Sequence, residues 1–143
     1  MPPEKNRRSF TSPVLQGISV AKILVIDDDV TVTKLLNMLL SIEGHQPTAL
    51  NDSSEAMTVV NQFLPDLITL DLMMPGLSGF DLCELLHRDP KFAHIPVLII
   101  SARADPESKQ RAYQAGAKDY LTKPFGVEIL TRKIKELTNS AAN

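Results

Sequence analysis

Short apolar runs alternate with amphipathic stretches through most of the chain, and that alternation sets the expected fold. The first run is Ile23 to Ile26. After it, Val32, Leu35, Leu36, Leu39 and Ile42 recur at intervals of three and four, which predicts a helix with all five on one buried face. Gly44 suits the left-handed residue that closes such a helix. A second strand is expected at about Gln46 to Leu50, and Ser53-Ser54-Glu55 opens a short helix to about Phe63. Leu67 to Leu70 is the third strand, and the loop MMPGLSG leads into a helix from about Phe80 to Arg88. Val97 to Ile100 is the fourth strand, followed by a helix from about Pro106 to Ala115 that Gly116 stops. Tyr120 to Thr122 is the fifth strand, and Val127, Leu130, Ile134 and Leu137 share one face of a final helix.

Five β-α units in succession imply an α/β fold with a parallel sheet and right-handed crossovers. The continuous apolar character of strands one, three and four fits a sheet covered by helices on both faces. Pro47 lies inside the second strand, and proline within a sheet belongs on an edge. The doubly wound order 2-1-3-4-5 puts strand two there. In that order the chain reverses direction between strands one and three, and ligands bind beyond the C-terminal strand ends at such a switch point.

Composition narrows the class. The chain has 143 residues, 43% hydrophobic and 22% charged, which suits one soluble domain. The expected division is a flexible tail over residues 1–20, a folded domain over 21–138 and a second flexible tail over 139–143. A net charge of -2 gives no basic field for nucleic acid. Cys83 is the only cysteine, so no internal disulfide is possible, which fits a reducing cytoplasm. No apolar run has the length of a membrane span, and the N-terminal residues lack the apolar core of a signal peptide. A cytoplasmic location is therefore expected.

Polar groups close four of the apolar runs. Asp27-Asp28-Asp29 follow the first, Asp71 the third, Ser101 the fourth and Lys123-Pro124 the fifth. The topology brings all of them to one rim. Two carboxylates about 4 Å apart repel by about 4 kcal/mol at an effective dielectric near 20. Three acids outnumber one lysine, so the rim needs a further cation. Mg2+ takes oxygen ligands and commonly uses one or two carboxylates plus a phosphate. No cluster of His and Cys suggests zinc. One carboxylate can act as a nucleophile and form an aspartyl phosphate. Mg2+ and Lys123 would neutralise the phosphoryl oxygens, Ser101 would donate a hydrogen bond, and the small Ala102 leaves the approach open. Asp29 is expected to cap the first helix. His45, His87 and His94 are scattered and read as structural or exposed, and Cys83 reads as a packed thiol.

Together these motifs closely resemble the receiver domain of bacterial two-component response regulators, a CheY-like family, over about Lys22 to Leu137. The resemblance implies a flavodoxin-like fold, Mg2+ as cofactor, and phosphorylation by a histidine kinase or histidine phosphotransfer protein. It makes Asp71 the phosphoacceptor, and Asp27 and Asp28 the acidic pair that holds the metal with Asp71 and the backbone carbonyl of Met73. Ser101 matches the switch hydroxyl and Lys123 the phosphate-binding lysine. Tyr120 matches an aromatic position that swings inward on activation, and Lys123-Pro124 a bond that is usually cis in the family. The implied role is that of a signalling phosphoacceptor rather than an enzyme, limited to self-phosphorylation and self-dephosphorylation. It would switch the surface of the fourth helix, fifth strand and fifth helix, read by an output domain or a docking protein, with no direct contact to nucleic acid or membrane. Lys118 departs from the acid that receivers dimerising before winged-helix domains often carry there. Met73 and Arg103 fall at positions that tune phosphate hydrolysis in the family.

Two other readings exist. Asp27-Asp28-Asp29-Val30-Thr31 fits the D-x-D-x-T nucleophile motif of haloacid-dehalogenase-like phosphatases, with Asp27 as nucleophile. Those enzymes need a further acidic metal site after the lysine, and here only Glu128 and Glu136 follow. A receiver-like interaction module that is never phosphorylated is the other, and the intact acidic set argues against it.

Overall fold

The structure, a computed structural model, describes residues 20–142; the expected N-terminal tail falls almost wholly outside them. The strands are β1 (Lys22–Ile26), β2 (Gln46–Leu50), β3 (Leu67–Leu70), β4 (Val97–Ser101) and β5 (Asp119–Thr122). They form one parallel sheet in the order β2-β1-β3-β4-β5, with the edge strand β2 carrying Pro47 opposite Ile23. The helices are α1 (Val30–Ile42), α2 (Ala56–Phe63), α3 (Gly79–Arg88), α4 (Pro106–Gln114) and α5 (Val127–Ala142). A 3-10 turn, Ser53–Glu55, leads into α2. This is the doubly wound, flavodoxin-like order that the alternating pattern implied.

Side-chain alternation along the strands divides the core in two. Leu24, Ile26, Ile68, Leu70 and Ile99 pack with Val60, Leu82, Leu86 and Ala112 on one face of the sheet. Ile23, Val25, Leu67, Leu98 and Ile100 pack with Leu36, Leu40, Leu130 and Ile134 on the other. Truncating one of these leucines to alanine costs about 2–5 kcal/mol, so the sheet holds its rim on a stiff base.

Helix starts are fixed by short polar side chains. Asp29 accepts hydrogen bonds from the N–H groups of Thr31 and Val32, as expected of the α1 cap. Ser78 caps α3 and Asp105 caps α4. The 3-10 turn is capped by Asp52, one residue before the serines that the sequence favoured.

Three expectations are corrected. Leu35 and Ile42 do not face the core: they are 43% and 68% exposed. Thr33 takes the buried place with Leu36 and Leu40. Its hydroxyl donates to the Val30 carbonyl at 3.1 Å and accepts from Asn51 Nδ2 at 3.0 Å, so a polar residue is satisfied where a leucine was expected. Val127 is likewise half-exposed at the start of α5. The helix itself continues to Ala142, past the boundary expected at residue 138. No glycine or proline stands there to stop it, and Ala141 and Ala142 are strong helix formers.

Candidate functional site

The rim is built where β1 and β3 end side by side. Ile26 pairs with Leu70, and the Asp71 N–H donates to the Ile26 carbonyl at 3.0 Å. Asp27 and Asp71 therefore leave adjacent strands together, at the point where strand order reverses. Asp27, Asp28 and Asp71 each offer a carboxylate oxygen, all within 4.8 Å of one another. Lys123 reaches in from the end of β5. Its Nζ lies 2.7 Å from Asp27 Oδ2 and 3.7 Å from Asp71 Oδ2. The Lys123 N–H donates to the Ser101 carbonyl at 2.8 Å, which ties the lysine to the end of β4, and the Lys123-Pro124 bond is cis.

The three acids differ in environment. Asp27 is buried and engaged on both oxygens, because Oδ1 also accepts the Asp29 N–H at 2.9 Å. Asp28 is exposed. Asp71 is buried but less completely held. Burial pushes its carboxyl above the usual carboxylate range, and the neighbouring Asp27 adds to that; Lys123 and the N–H groups of Met73 and Leu72 oppose it. Three converging carboxylates suit a hard divalent cation with oxygen ligands, and Asp27, Asp28 and Asp71 are the residues that could hold one.

Ser101 is fully buried as the last residue of β4. Its Oγ accepts the Arg103 N–H at 3.2 Å. The Arg103 carbonyl in turn accepts the Tyr120 hydroxyl at 2.7 Å. Burial raises the Tyr120 phenol, and the nearby Ser101 side chain opposes that shift. Tyr120 lies inward in this structure, only 7% exposed. The reason is local: the loop after β4 presents a carbonyl within reach of the phenol. Above the rim, Arg103 Nη1 contacts the half-exposed Met73 sulfur at 3.8 Å, and Arg103 Nε pairs with Asp105 at 3.4 Å.

The structure brings Asp27, Asp28, Asp71 and Lys123 together at this rim, ties Ser101 to it through the Lys123 N–H, and sets Tyr120 against the loop after Ser101; Met73 and Pro124 adjoin it in the chain after Asp71 and Lys123. Two contributors escaped the sequence reading. Asn51 Nδ2 donates to the Asp27 carbonyl at 2.8 Å and so steadies the loop that carries the acidic pair. It ends β2 at the same rim, a positional signal that Asp52 and the serines after it obscured. Gly79 is buried against the backbone of Asp71. Its signal was a second glycine at the end of the MMPGLSG loop.

Comparison with known proteins agrees with this geometry. The family model described as "Response regulator receiver domain" matches residues 23–135. The DNA-binding dual master transcriptional regulator RpaA of Synechocystis sp. is 39% identical over 116 residues, covering 81% of this chain and 48% of that protein. The DNA-binding response regulator MtrA of Mycolicibacterium paratuberculosis is 34% identical, covering 80% and 49%. The chain thus spans about half the length of these curated relatives. Among solved structures, Vibrio cholerae chemotaxis protein CheY4 superposes with a TM-score of 0.78 at 26% identity, covering 83% of this chain and 99% of that one. The signal receiver domain of a histidine kinase from Syntrophus aciditrophicus gives 0.79 at 30% identity, covering 85% and 92%.

Proposed function

Because this chain belongs to the response regulator receiver domain family of two-component signalling, we propose that Asp71 is its phosphoacceptor, served by a histidine kinase or histidine phosphotransfer protein and by Mg2+. The observation that carries the assignment is the sharing of Lys123 between Asp27 and Asp71, with Asp28 completing a group of three carboxylates. Family membership sets aside the haloacid-dehalogenase reading. The environment of Asp27 argues the same way, since both of its oxygens are engaged.

Asp71 attacks the phosphorus of a phosphohistidine. An O–P bond forms to the carboxylate, the P–N bond breaks, and its electron pair leaves with the donor imidazole. Asp27, Asp28, Asp71 and the Met73 carbonyl would hold Mg2+, which when bound would supply positive charge to the phosphoryl oxygens. Lys123, 3.7 Å from Asp71 Oδ2, supplies more. Self-phosphorylation from small acyl phosphates and self-dephosphorylation use the same groups, and no other substrate is turned over.

The phosphoryl group adds about -1.5 to -2 charge and three acceptor oxygens. Lys123 and the Ser101 hydroxyl are the groups placed to answer it. Ser101 is bonded to the Arg103 N–H, and the Arg103 carbonyl to Tyr120, so a shift of Ser101 passes into α4, β5 and α5. That surface is read by an output domain or by a docking partner. The receiver occupies residues 21 to the end of α5, and a cytoplasmic setting suits its kinase donors. Among the described residues, no helix is long and apolar enough to cross a membrane.

Incubation with acetyl phosphate and Mg2+ tests the proposal. Intact-mass spectrometry should find one added phosphoryl group in the wild type and none in Asp71→Asn. Equal labelling of both would overturn it.

A further inference from the structure

We propose that Gly79 is a positioning residue for the phosphoacceptor: its missing side chain lets the first turn of α3 lie directly against the Asp71 backbone, which fixes where the carboxylate stands. The inference rests on Asp71 being the acceptor. Gly79 is the buried first residue of α3, and its N–H donates to the Leu72 carbonyl at 3.1 Å. A Cβ built there would lie 2.2 Å from the Asp71 carbonyl oxygen, 2.6 Å from Leu72 Cα and 2.9 Å from the Asp71 carbonyl carbon. All three are backbone atoms, which cannot swing aside as the end of a side chain can.

Backbone conformation does not explain this glycine. Gly76 and Gly116 have φ of +75° and +114°, where a side chain is strained, but Gly79 sits in a right-handed helix. Alanine is the better helix former, so local propensity favours replacing it. Space alone requires glycine here.

The contact bears on the site because the same peptides carry the acceptor. The Asp71 N–H is fixed to the Ile26 carbonyl at 3.0 Å. The N–H groups of Leu72 and Met73 face its carboxylate closely enough to favour the charged form. A displaced Asp71–Leu72 peptide moves those donors, and with them the carboxylate, relative to Asp27 and Lys123. The Met73 carbonyl moves too.

The test compares Gly79→Ala with Gly126→Ala, where a Cβ meets nothing within 4 Å. Both variants are made in the wild type and in Leu64→Gly, which replaces an exposed non-glycine residue at φ 50 and supplies reserve stability. Three quantities are read: the rate of phosphoryl incorporation from acetyl phosphate, Mg2+ affinity from amide shifts without phosphate, and the melting temperature. Misplacing a reacting group by about 1 Å can cost about a hundredfold in rate. Gly79→Ala should therefore lose about tenfold or more in rate at a temperature where it is folded, bind Mg2+ more weakly, and shift the Leu72 and Met73 amides. Gly126→Ala should match the wild type. If Gly79→Ala keeps the wild-type rate and Mg2+ affinity, the inference fails while the acceptor assignment stands. If it is unfolded in both backgrounds, the glycine serves the fold alone and the inference also fails. If wild-type phosphate maps away from Asp71, the acceptor assignment itself fails, and the inference with it.

Discussion

The Tyr120 hydroxyl donates a 2.7 Å hydrogen bond to the backbone carbonyl of Arg103, two residues after the buried Ser101. One short loop thus meets the Ser101 hydroxyl with its N–H and the Tyr120 hydroxyl with its C=O.

Tyr120→Phe separates the ring from its hydroxyl. The ring keeps its packing, while one hydrogen bond worth about 1 kcal/mol is lost. Chemical denaturation should show that loss, and the rate of labelling by acetyl phosphate should stay close to wild type. The amide shifts that a phosphate mimic such as beryllofluoride induces in α4 should shrink. Undiminished shifts would remove Tyr120 from the route between the rim and the α4-β5-α5 surface.

Asp28→Ala tests the cation. A ligand at a hundred times its dissociation constant stabilises its target by about 2.7 kcal/mol. Wild-type protein should melt higher as Mg2+ is added, and Asp28→Ala should respond little, because one of three converging carboxylates is gone. The same substitution should raise metal-free stability slightly by removing like-charge repulsion. Equal Mg2+ responses in the two proteins would show that Asp28 is no ligand.

His45 predicts a pH dependence far from the rim. It is 7% exposed, and its Nδ1 accepts the Ala21 N–H at 3.1 Å, a bond that only a neutral ring can accept. Burial lowers its pKa below the ordinary 6.5, against a weaker opposing effect of Glu43. Lys135 of α5 lines the same small pocket. A depressed folded pKa gives stability that is present above the ordinary value and is lost as pH falls below it. Wild-type melting temperature should therefore fall more steeply than that of His45→Asn between about pH 7.5 and about pH 5.5, since Asn retains an acceptor and does not titrate. Parallel curves would mean that His45 contributes no pH-dependent stability.

Leu64 closes α2 in the left-handed conformation, at φ 50, with 59% of its surface exposed. Little packing is lost on replacing it, and strain is relieved. Leu64→Gly should stabilise by about 1 kcal/mol, visible as a higher melting temperature. A lower melting temperature would show that the leucine packs more than its exposure implies.

The sheet order and the acids of the rim were legible in the sequence because each apolar run stops at a polar residue, and a parallel sheet aligns those stops. Asp29 was legible as a cap because its oxygen needs only N–H groups two and three residues ahead. The face of α1 was harder to read. Leu35 and Leu36 are both leucines on adjacent faces, and only contact with the sheet selects Leu36 and Thr33. The inward position of Tyr120 depends on a carbonyl in another loop, so no local pattern encodes it. Gly79 and Asn51 act through backbone atoms of distant segments, which leave no periodic signal.

Site mapping of the phosphate tests the central claim most directly. Wild-type protein labelled with acetyl phosphate and Mg2+ is reduced with borohydride, which converts an aspartyl phosphate to homoserine, then digested and sequenced by mass spectrometry. The account predicts homoserine at position 71 alone. Homoserine at position 27 or 28, with Asp71 unmodified, would contradict it.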